Sequence, residues 1–370
     1  VITPFFPSAQ SFCGCYVYDQ IKSINRHGEY EFIVIKTVPW FRVKRSYEYD
    51  GFKIYVLPTV VLPSAVFPYL FARLNRLMLC LLLWLHGIRR QNIAVVHGHV
   101  TAAAIYFPLF RRFQTKTLLQ HHAFDIFSMD NGIFGNSKWH RRLVFKGGLK
   151  YLNQADCHIG VSQRVLRLLG KYPGVRLRQT EVLYNGVNLE IFHRIPELHH
   201  SGTFRIGCIG NFWQLKDQKT LLKAAKILFD LKRMEFELFL IGQGPTLKDC
   251  EEYVAENFPP GVVRFLPEVH HNDLCTFYNS LDLFVLPSYY EALGCVYLEA
   301  HACGVPFIAV RNQGIEEFIQ PEDKSRWLIH KGNAQELADR IADFYRYRYP
   351  QKLCRDYDIN VLIGAFLRKI

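Results

Sequence analysis

The chain has 370 residues, 49% hydrophobic and 21% charged, a globular composition that excludes a mostly disordered chain and, at about 150 residues per domain, suggests two domains or three. The net charge of +12 is unevenly placed: residues 1–194 carry 25 Lys and Arg against 10 Asp and Glu, and residues 195–370 carry 20 against 23. All the excess positive charge lies in the first half, which points to a polyanionic partner of that half, either nucleic acid or an anionic membrane surface.

The chain opens "VITPFFP" with no signal peptide, and is expected to begin inside a first strand, after a missing Met and a few further residues. Further strands of the first half are expected at Phe32–Thr37, Lys53–Leu57, Ile93–His97, Thr115–Gln120, Cys157–Val161 and Glu181–Tyr184. Helical patterns separate them near 14–26, 66–90, 100–112, 138–154 and 162–170. The stretch 66–90 reads as one long helix, apolar around most of its girth, with Arg73 and Arg76 on one face and Arg89 and Arg90 closing its end. It admits two readings, a core helix of an α/β domain or a helix that leans on a membrane with its arginines at the headgroups. Its strictly apolar run, Leu77 to Leu85, is nine residues; a membrane span needs roughly 20.

Residues 188–203 have weak periodicity and read as a linker. The rhythm then restarts, with strands at Phe204–Ile209, Glu237–Ile241, Val263–Leu266, Leu283–Leu286, Pro306–Val310 and Trp327–Ile329. Helices are expected near 217–231, 245–257, 271–279, 294–303, 315–319 and 334–347. Alternating strand and helix predicts an α/β chain of two doubly wound parallel sheets. The expected domains are 1–187 and 204–349, facing a central cleft, with a tail at 350–370 whose helix packs back on the first domain. Ligands of such sheets bind at the carboxyl ends of the strands, so the loops after each strand are the places to look for chemistry.

Ten cysteines lie mostly in apolar segments, with no C-x-x-C and no Cys/His zinc pattern. Buried free thiols in a reducing cytosol are expected. Gly14 sits where a loop turns into a helix, as a plain turn or as a point where backbone approaches phosphate. His97 and His99, two apart, read as loop histidines rather than a metal pair. In "HHAFD", His122 and Asp125 follow a strand; a loop His beside an acid suits orienting a substrate. In "IGNFWQLKD", Lys216 stands at a loop-to-helix junction, either as a phosphate ligand or as a solvated surface lysine. No G-x-G-x-x-G occurs anywhere. In "PSYYEALGCVYLEA", a helix begins near Gly294, and the amides of Leu293, Gly294 and Cys295 make an anion site. Glu291 precedes that start and Glu299 follows within the helix. They are either sugar-binding carboxylates flanking a phosphate site or plain helix-surface glutamates.

At this segment the sequence resembles a retaining glycosyltransferase of family 4, group 1, with the GT-B fold of two Rossmann-like domains. The signature is Glu, seven residues, then Glu, here Glu291 and Glu299. The resemblance spans nearly the whole chain and includes "PFFPSAQSFCG", "HGH", "HHAFD", "YNGVNLEIF", "GNFWQLKD", "IGQGP" and "NQGIEEFI" in order. It implies that Glu299 holds the ribose diol of the donor and that Glu291 contacts the transferred sugar. It further implies that Lys216 and the amides near Gly294 and Cys295 bind the diphosphate, that His122 touches the sugar near the reacting carbon, and that Gly14 brings loop amides to phosphate or acceptor. Departures are Asn211 where many members carry Arg, Cys13–Gly14 for a double glycine, Ala123 for a glycine, and "EALG" for "EGFG".

The expected activity is metal-independent transfer of a hexose-type sugar from a nucleoside diphosphate sugar, with retention, to a glycan or lipid-linked acceptor. Bacterial polysaccharide assembly on the cytoplasmic face of the inner membrane is the expected setting. No metal or other cofactor is expected, and the lone Asp-x-Asp, Asp356–Asp358, reads as a solvated helix face. Rival readings are a nucleotide-sugar epimerase on the same fold, a non-catalytic sugar-nucleotide binder and a nucleic-acid-binding protein; the last lacks any recognisable binding module.

Overall fold

The computed structural model describes residues 1–9, 11–28, 30–42, 45–61, 69–122, 147–198, 202–231 and 234–369. The chain divides into two compact units, Val1–Tyr184 with Ile363–Ile370, and Asn185–Leu362.

The first unit holds eight strands: β1 (Ile2–Thr3), β2 (Val34–Pro39), β3 (Tyr47–Tyr49), β4 (Phe52–Thr59), β5 (Val95–His99), β6 (Lys116–His121), β7 (Cys157–Gly160) and β8 (Thr180–Val182). Their order is β3-β4-β2-β1-β5-β6-β7-β8. Every neighbouring pair is parallel except β3 with β4. That hairpin was not expected from alternation alone. Its signal is Asp50–Gly51, both at positive φ (47° and 77°), the pair that a tight hairpin turn demands. Without β3, the sheet runs outward in both directions from β1, and the order reverses between β1 and β5.

The second unit repeats the plan with β9 (Phe204–Ile209), β10 (Phe236–Ile241), β11 (Val263–Leu266), β12 (Leu283–Val285), β13 (Phe307–Val310) and β14 (Leu328–Ile329), ordered β11-β10-β9-β12-β13-β14. All its pairs are parallel. In chain order this is third, second, first, fourth, fifth, sixth, the doubly wound arrangement that binds nucleotides where the order reverses. Here that point lies between β9 and β12. The central strands are buried nearly throughout, which is why they read as apolar runs rather than as alternating patterns.

Several local expectations are corrected. The helix expected over 66–90 is α2, Ala72–Leu85; residues 62–68 lie outside the described set. Gly87, at φ 69°, ends it in the left-handed turn that glycine favours, so Arg89 and Arg90 stand beyond it and Arg90 opens a short 3-10 turn, Arg90–Asn92. The 100–112 pattern is a 3-10 helix, Thr101–Leu109, with Pro108 inside, where the ring removes an amide that an α-helix needs. The turn at Gly314–Phe318 is also 3-10, and the helix expected over 271–279 is a 3-10 turn, His271–Asp273, followed by Leu274–Asn279. Of the pattern at 138–154, residues 138–146 lie outside the described set, as do Asp125 and Ala123.

Residues 188–203 fall within the second unit: the Asn279 side chain accepts from the Ile195 amide (2.6 Å) and donates to the His193 carbonyl (2.9 Å). The terminal helix Ile359–Leu367 begins in the second unit and ends in the first, where Gly364 lies against His27 and Lys369 pairs with Glu181 at 3.3 Å. Asp356 and Asp358 precede that helix rather than forming a face of it, and Asp358 accepts from the Asn360 amide as a cap (2.8 Å). Five of the ten free cysteines are buried, while Cys13 and Cys354 are exposed. No helix among the described residues is long and apolar enough to cross a membrane.

Candidate functional site

The predicted site residues fall into two groups, one at the carboxyl end of each sheet.

In the first unit, the loop after β1 leads to α1 (Cys15–Arg26), and Gly14 is its N-cap at φ 91°. A Cβ there would lie 2.4 Å from the Phe5 carbonyl carbon, so both the turn and the space require glycine. One residue into α1, the Tyr16 ring lies 4.6 Å from the His122 ring. His122 directly follows β6, which places it near the helix start that Gly14 creates.

His97 and His99 are on strand β5, not in a loop. Two residues apart, they share one face of the sheet and stack at 4.4 Å. His99 Nδ1 lies 2.8 Å from His122 Nε2. His99 was not expected as a site residue; its signal was the i, i+2 spacing at a strand's carboxyl end. Burial lowers the His122 and His97 imidazoles to about 3 and holds His99 well below its ordinary value; neighbouring histidines add to the effect at His122 and His99, and the positive N-terminus adds to it at His97. These rings are neutral near pH 7. His122 Nδ1 is buried with no hydrogen-bond partner among the described residues, so one ring nitrogen is held by His99 while the other remains available. A second pair, His121 and His158, meets at 3.2 Å. No group of three His, Cys, Asp or Glu among the described residues is arranged to hold a metal ion.

In the second unit, the loops after β9 and β12 meet at the reversal of strand order. Lys216 comes from the first, Glu291 from the second, and Lys216 Nζ lies 2.5 Å from Glu291 Oε1. The pair is mostly buried, with side-chain exposures of 26% and 12%, so each charge compensates the other where water is scarce. The Tyr289 amide donates to the Leu215 carbonyl (2.7 Å) and tightens the same junction. Gln313 was not expected: its Oε1 accepts from the Glu291 amide (2.7 Å) and its Nε2 donates to the Tyr289 carbonyl (3.0 Å). It pins the loop that carries Glu291. The sequence signal was "NQG", noticed only as part of a wider likeness.

The helix Cys295–Ala302 starts at Gly294, φ 82°. A Cβ on Gly294 would strike the Tyr297 ring at 2.6 Å and would lie 3.6 Å from Glu291 Cγ. The helix start, Glu291 and Lys216 are therefore neighbours. Leu293 is buried beside them. On that helix Glu299 is buried and accepts from the Tyr278 hydroxyl (2.9 Å), with His271 Nε2 at 3.8 Å from its other oxygen. Burial and the Glu299 charge push the Tyr278 hydroxyl well above its ordinary value, so it remains a donor. Tyr278 is a second residue that local pattern did not reveal. Asn211 stands exposed in the loop after β9, and its carbonyl accepts from the Trp213 amide (2.8 Å) and from Gln218 Nε2 (3.3 Å).

A lysine, a helix start at positive φ and two carboxylates thus converge at the strand reversal of a doubly wound sheet, the arrangement of a nucleotide-handling α/β protein. Residues 191–360 match the family model of glycosyl transferases group 1, and residues 16–191 match that of glycosyltransferase family 4. The chain belongs to the group 1 glycosyltransferases.

Among curated relatives, a D-inositol 3-phosphate glycosyltransferase of Paenarthrobacter aurescens is 27% identical over 46% of this chain and 44% of its own length. The capsular polysaccharide biosynthesis glycosyltransferase CapM of Staphylococcus aureus is 28% identical over 50% of this chain and 47% of its own. The chain thus spans about half the length of these relatives. Among solved structures, sucrose-phosphate synthase of Thermosynechococcus elongatus superposes with a TM-score of 0.74 at 18% identity, covering 95% of this chain and 88% of that one. Anabaena Alr3699/HepE in complex with UDP-glucose superposes with a TM-score of 0.68 at 16% identity, over the full length of both chains. At such identities these superpositions establish the GT-B fold.

Proposed function

We propose that the protein transfers a sugar from a nucleoside diphosphate sugar to a glycan or lipid-linked acceptor, with retention at the anomeric carbon. The observation that carries this reading is the Lys216–Glu291 pair beside the Gly294 helix start, at the strand reversal of the second sheet. An arriving diphosphate competes with Glu291 for Lys216, and the freed Glu291 carboxylate turns to the hydroxyls of the transferred sugar. The leaving diphosphate is stabilised by Lys216 and by the amides at Leu293, Gly294 and Cys295, fixed dipoles aimed at developing charge. These groups make a metal unnecessary in this mechanism. Glu299, steadied by Tyr278, takes the ribose hydroxyls, and Asn211 borders the diphosphate in place of an arginine.

In the first unit, His122 offers Nδ1 to the sugar near the reacting carbon as a neutral hydrogen-bonding group, and Gly14 lets loop amides approach the phosphate or the acceptor. The relative in capsular polysaccharide synthesis supports a bacterial cell-surface glycan pathway, and the neighbour bound to UDP-glucose supports a nucleotide-sugar donor. The excess of Lys and Arg in the first half supports a protein that works against an anionic surface, the cytoplasmic face of the inner membrane in this reading.

The test is thermal stability against UDP, GDP, ADP, dTDP and CMP with their sugars. A ligand at 100 times its Kd adds about 2.7 kcal/mol. A shift with one nucleoside diphosphate, lost in Glu299→Ala, supports the reading. No shift with any of them removes it. An altered free sugar released without acceptor would assign an epimerase instead.

A further inference from the structure

The outer face of α2 is apolar and, among the described residues, exposed. Leu74, Leu77, Leu81, Trp84 and Leu85 are 44%, 67%, 55%, 75% and 64% exposed, and Leu70, just before the helix, is 72% exposed. At about 100° per residue these helical positions occupy one arc of about 100°. The opposite arc, Ala72, Asn75, Leu79 and Leu83, is buried. Asn75 fixes the rotation, since its side chain accepts from the Val60 amide (2.8 Å) and donates to the Val60 carbonyl (3.2 Å). The outer leucines therefore cannot turn inward. A helix of 14 residues is about 21 Å long, too short to span a bilayer but long enough to lie along one.

Charge selects the occupant. From Gly51 to Phe124 the sequence has no Asp or Glu and eight Lys and Arg. Arg73 flanks the stripe and Arg89 follows its end, both exposed. A second copy would bring the same positive charge and be repelled, whereas an anionic lipid surface is attracted. The stripe itself offers leucine side chains and one terminal tryptophan, the composition of a surface that enters acyl chains with its aromatic at headgroup level.

We propose that the outer face of α2 is a lipid-docking surface, lying in the plane of an anionic bilayer with Leu77 and Leu81 among the acyl chains and Arg73 and Arg89 at the headgroups. This deepens the membrane placement proposed above by naming the element and its orientation. It stands apart from the donor site, because vesicle binding needs no turnover.

The experiment is cosedimentation of the full chain with vesicles of phosphatidylcholine alone, or with about one third phosphatidylglycerol. Binding is expected only with the anionic lipid and is expected to weaken as salt rises. Leu77→Ser with Leu81→Ser should lower partitioning at least about tenfold with only a small change in Tm, since both side chains are largely exposed in the free protein and enter apolar contact in the bound state. Arg73→Glu with Arg89→Glu should do likewise. Leu231→Ser, which changes a leucine 55% exposed in the second unit, should change nothing. Indifference of the wild type to phosphatidylglycerol, or wild-type binding by the stripe variant, overturns the proposal. If instead the stripe variant abolishes a dimer seen by ultracentrifugation while vesicle binding persists, the face belongs to a second copy. Vesicle binding without any nucleotide-induced thermal shift would sink the transferase reading and leave this one standing.

Discussion

The two units share a topology and differ in the chemistry at corresponding ends of their sheets. In the first, the strand ends carry stacked imidazoles, His97, His99 and His122, that burial keeps neutral. In the second, the same region carries the Lys216–Glu291 ion pair and the start of a helix. The doubly wound arrangement supplies a place for ligands twice over, and the residues set into the loops decide what each place handles. An array of neutral rings offers directional hydrogen bonds without charge. A lysine with helix amides handles a polyanion. Topology alone would have made the halves equivalent; the side chains give one an array of neutral rings and the other an ion pair beside a helix start.

The widest separation between the units is expected in acid. His97, His122 and His158 are each lowered to about 3 by burial, against 6.5 when unfolded. The unfolded chain therefore binds more protons than the folded one between these values. Stability is full above about pH 6.5 and falls as pH drops toward 3, by about 1.4 kcal/mol per pH unit for each such histidine. Hydrogen exchange at pH 5 should show β5, β6 and β7 opening before β9 and β12. Equal protection of the two sheets would break the comparison.

Next in size is removal of the cation. Lys216→Ala should lower kcat by about 10²–10³, the cost of losing one fixed donor to developing negative charge, whereas His122→Asn should leave nucleotide affinity unchanged. If the histidine variant loses nucleotide binding instead, the assignment of the two ends is wrong. Glu299→Ala should weaken donor binding by about 10- to 150-fold, the loss of hydrogen bonds to a charged group worth roughly 1.5–3 kcal/mol. Calorimetry with the nucleoside diphosphate checks it. Tyr278→Phe should produce a smaller loss, about fivefold for one hydrogen bond of about 1 kcal/mol, because Glu299 remains but is less firmly held. The smallest effect expected is none: turnover in excess chelator should equal that without it, and loss restored by Mg or Mn would show that Lys216 and the helix amides do not suffice.

Much of this was readable from pattern. The parallel strands appear as short buried runs, Glu291 and Lys216 stand where loops turn into helices, and Glu299 follows inside the helix that Gly294 starts. The misplaced features share a cause. The helix expected to reach residue 90 stops at Leu85, because Gly87 takes a positive φ at which the backbone leaves the helix, a change that apolar content does not register. The expected strand closes at His97 whereas β5 runs on to His99, because a strand's end is set by its partner, here β6, and not by its own residues. Tyr278 and Gln313 escaped notice because each acts on a residue 21 or 22 positions away.

Alternation of strand and helix, the uneven charge and the helix-start glycines are properties of neighbouring residues, and the sequence by itself determined them, since backbone preference and burial period act over a few positions. Tertiary structure alone decided which distant groups touch. Lys216 and Glu291 are 75 residues apart and meet because β12 is laid beside β9 rather than beside β11. Which face of α2 is buried was likewise settled only by packing: both faces are apolar, and the side-chain hydrogen bonds of Asn75 to Val60 turn one of them to the core and leave the other to the surroundings.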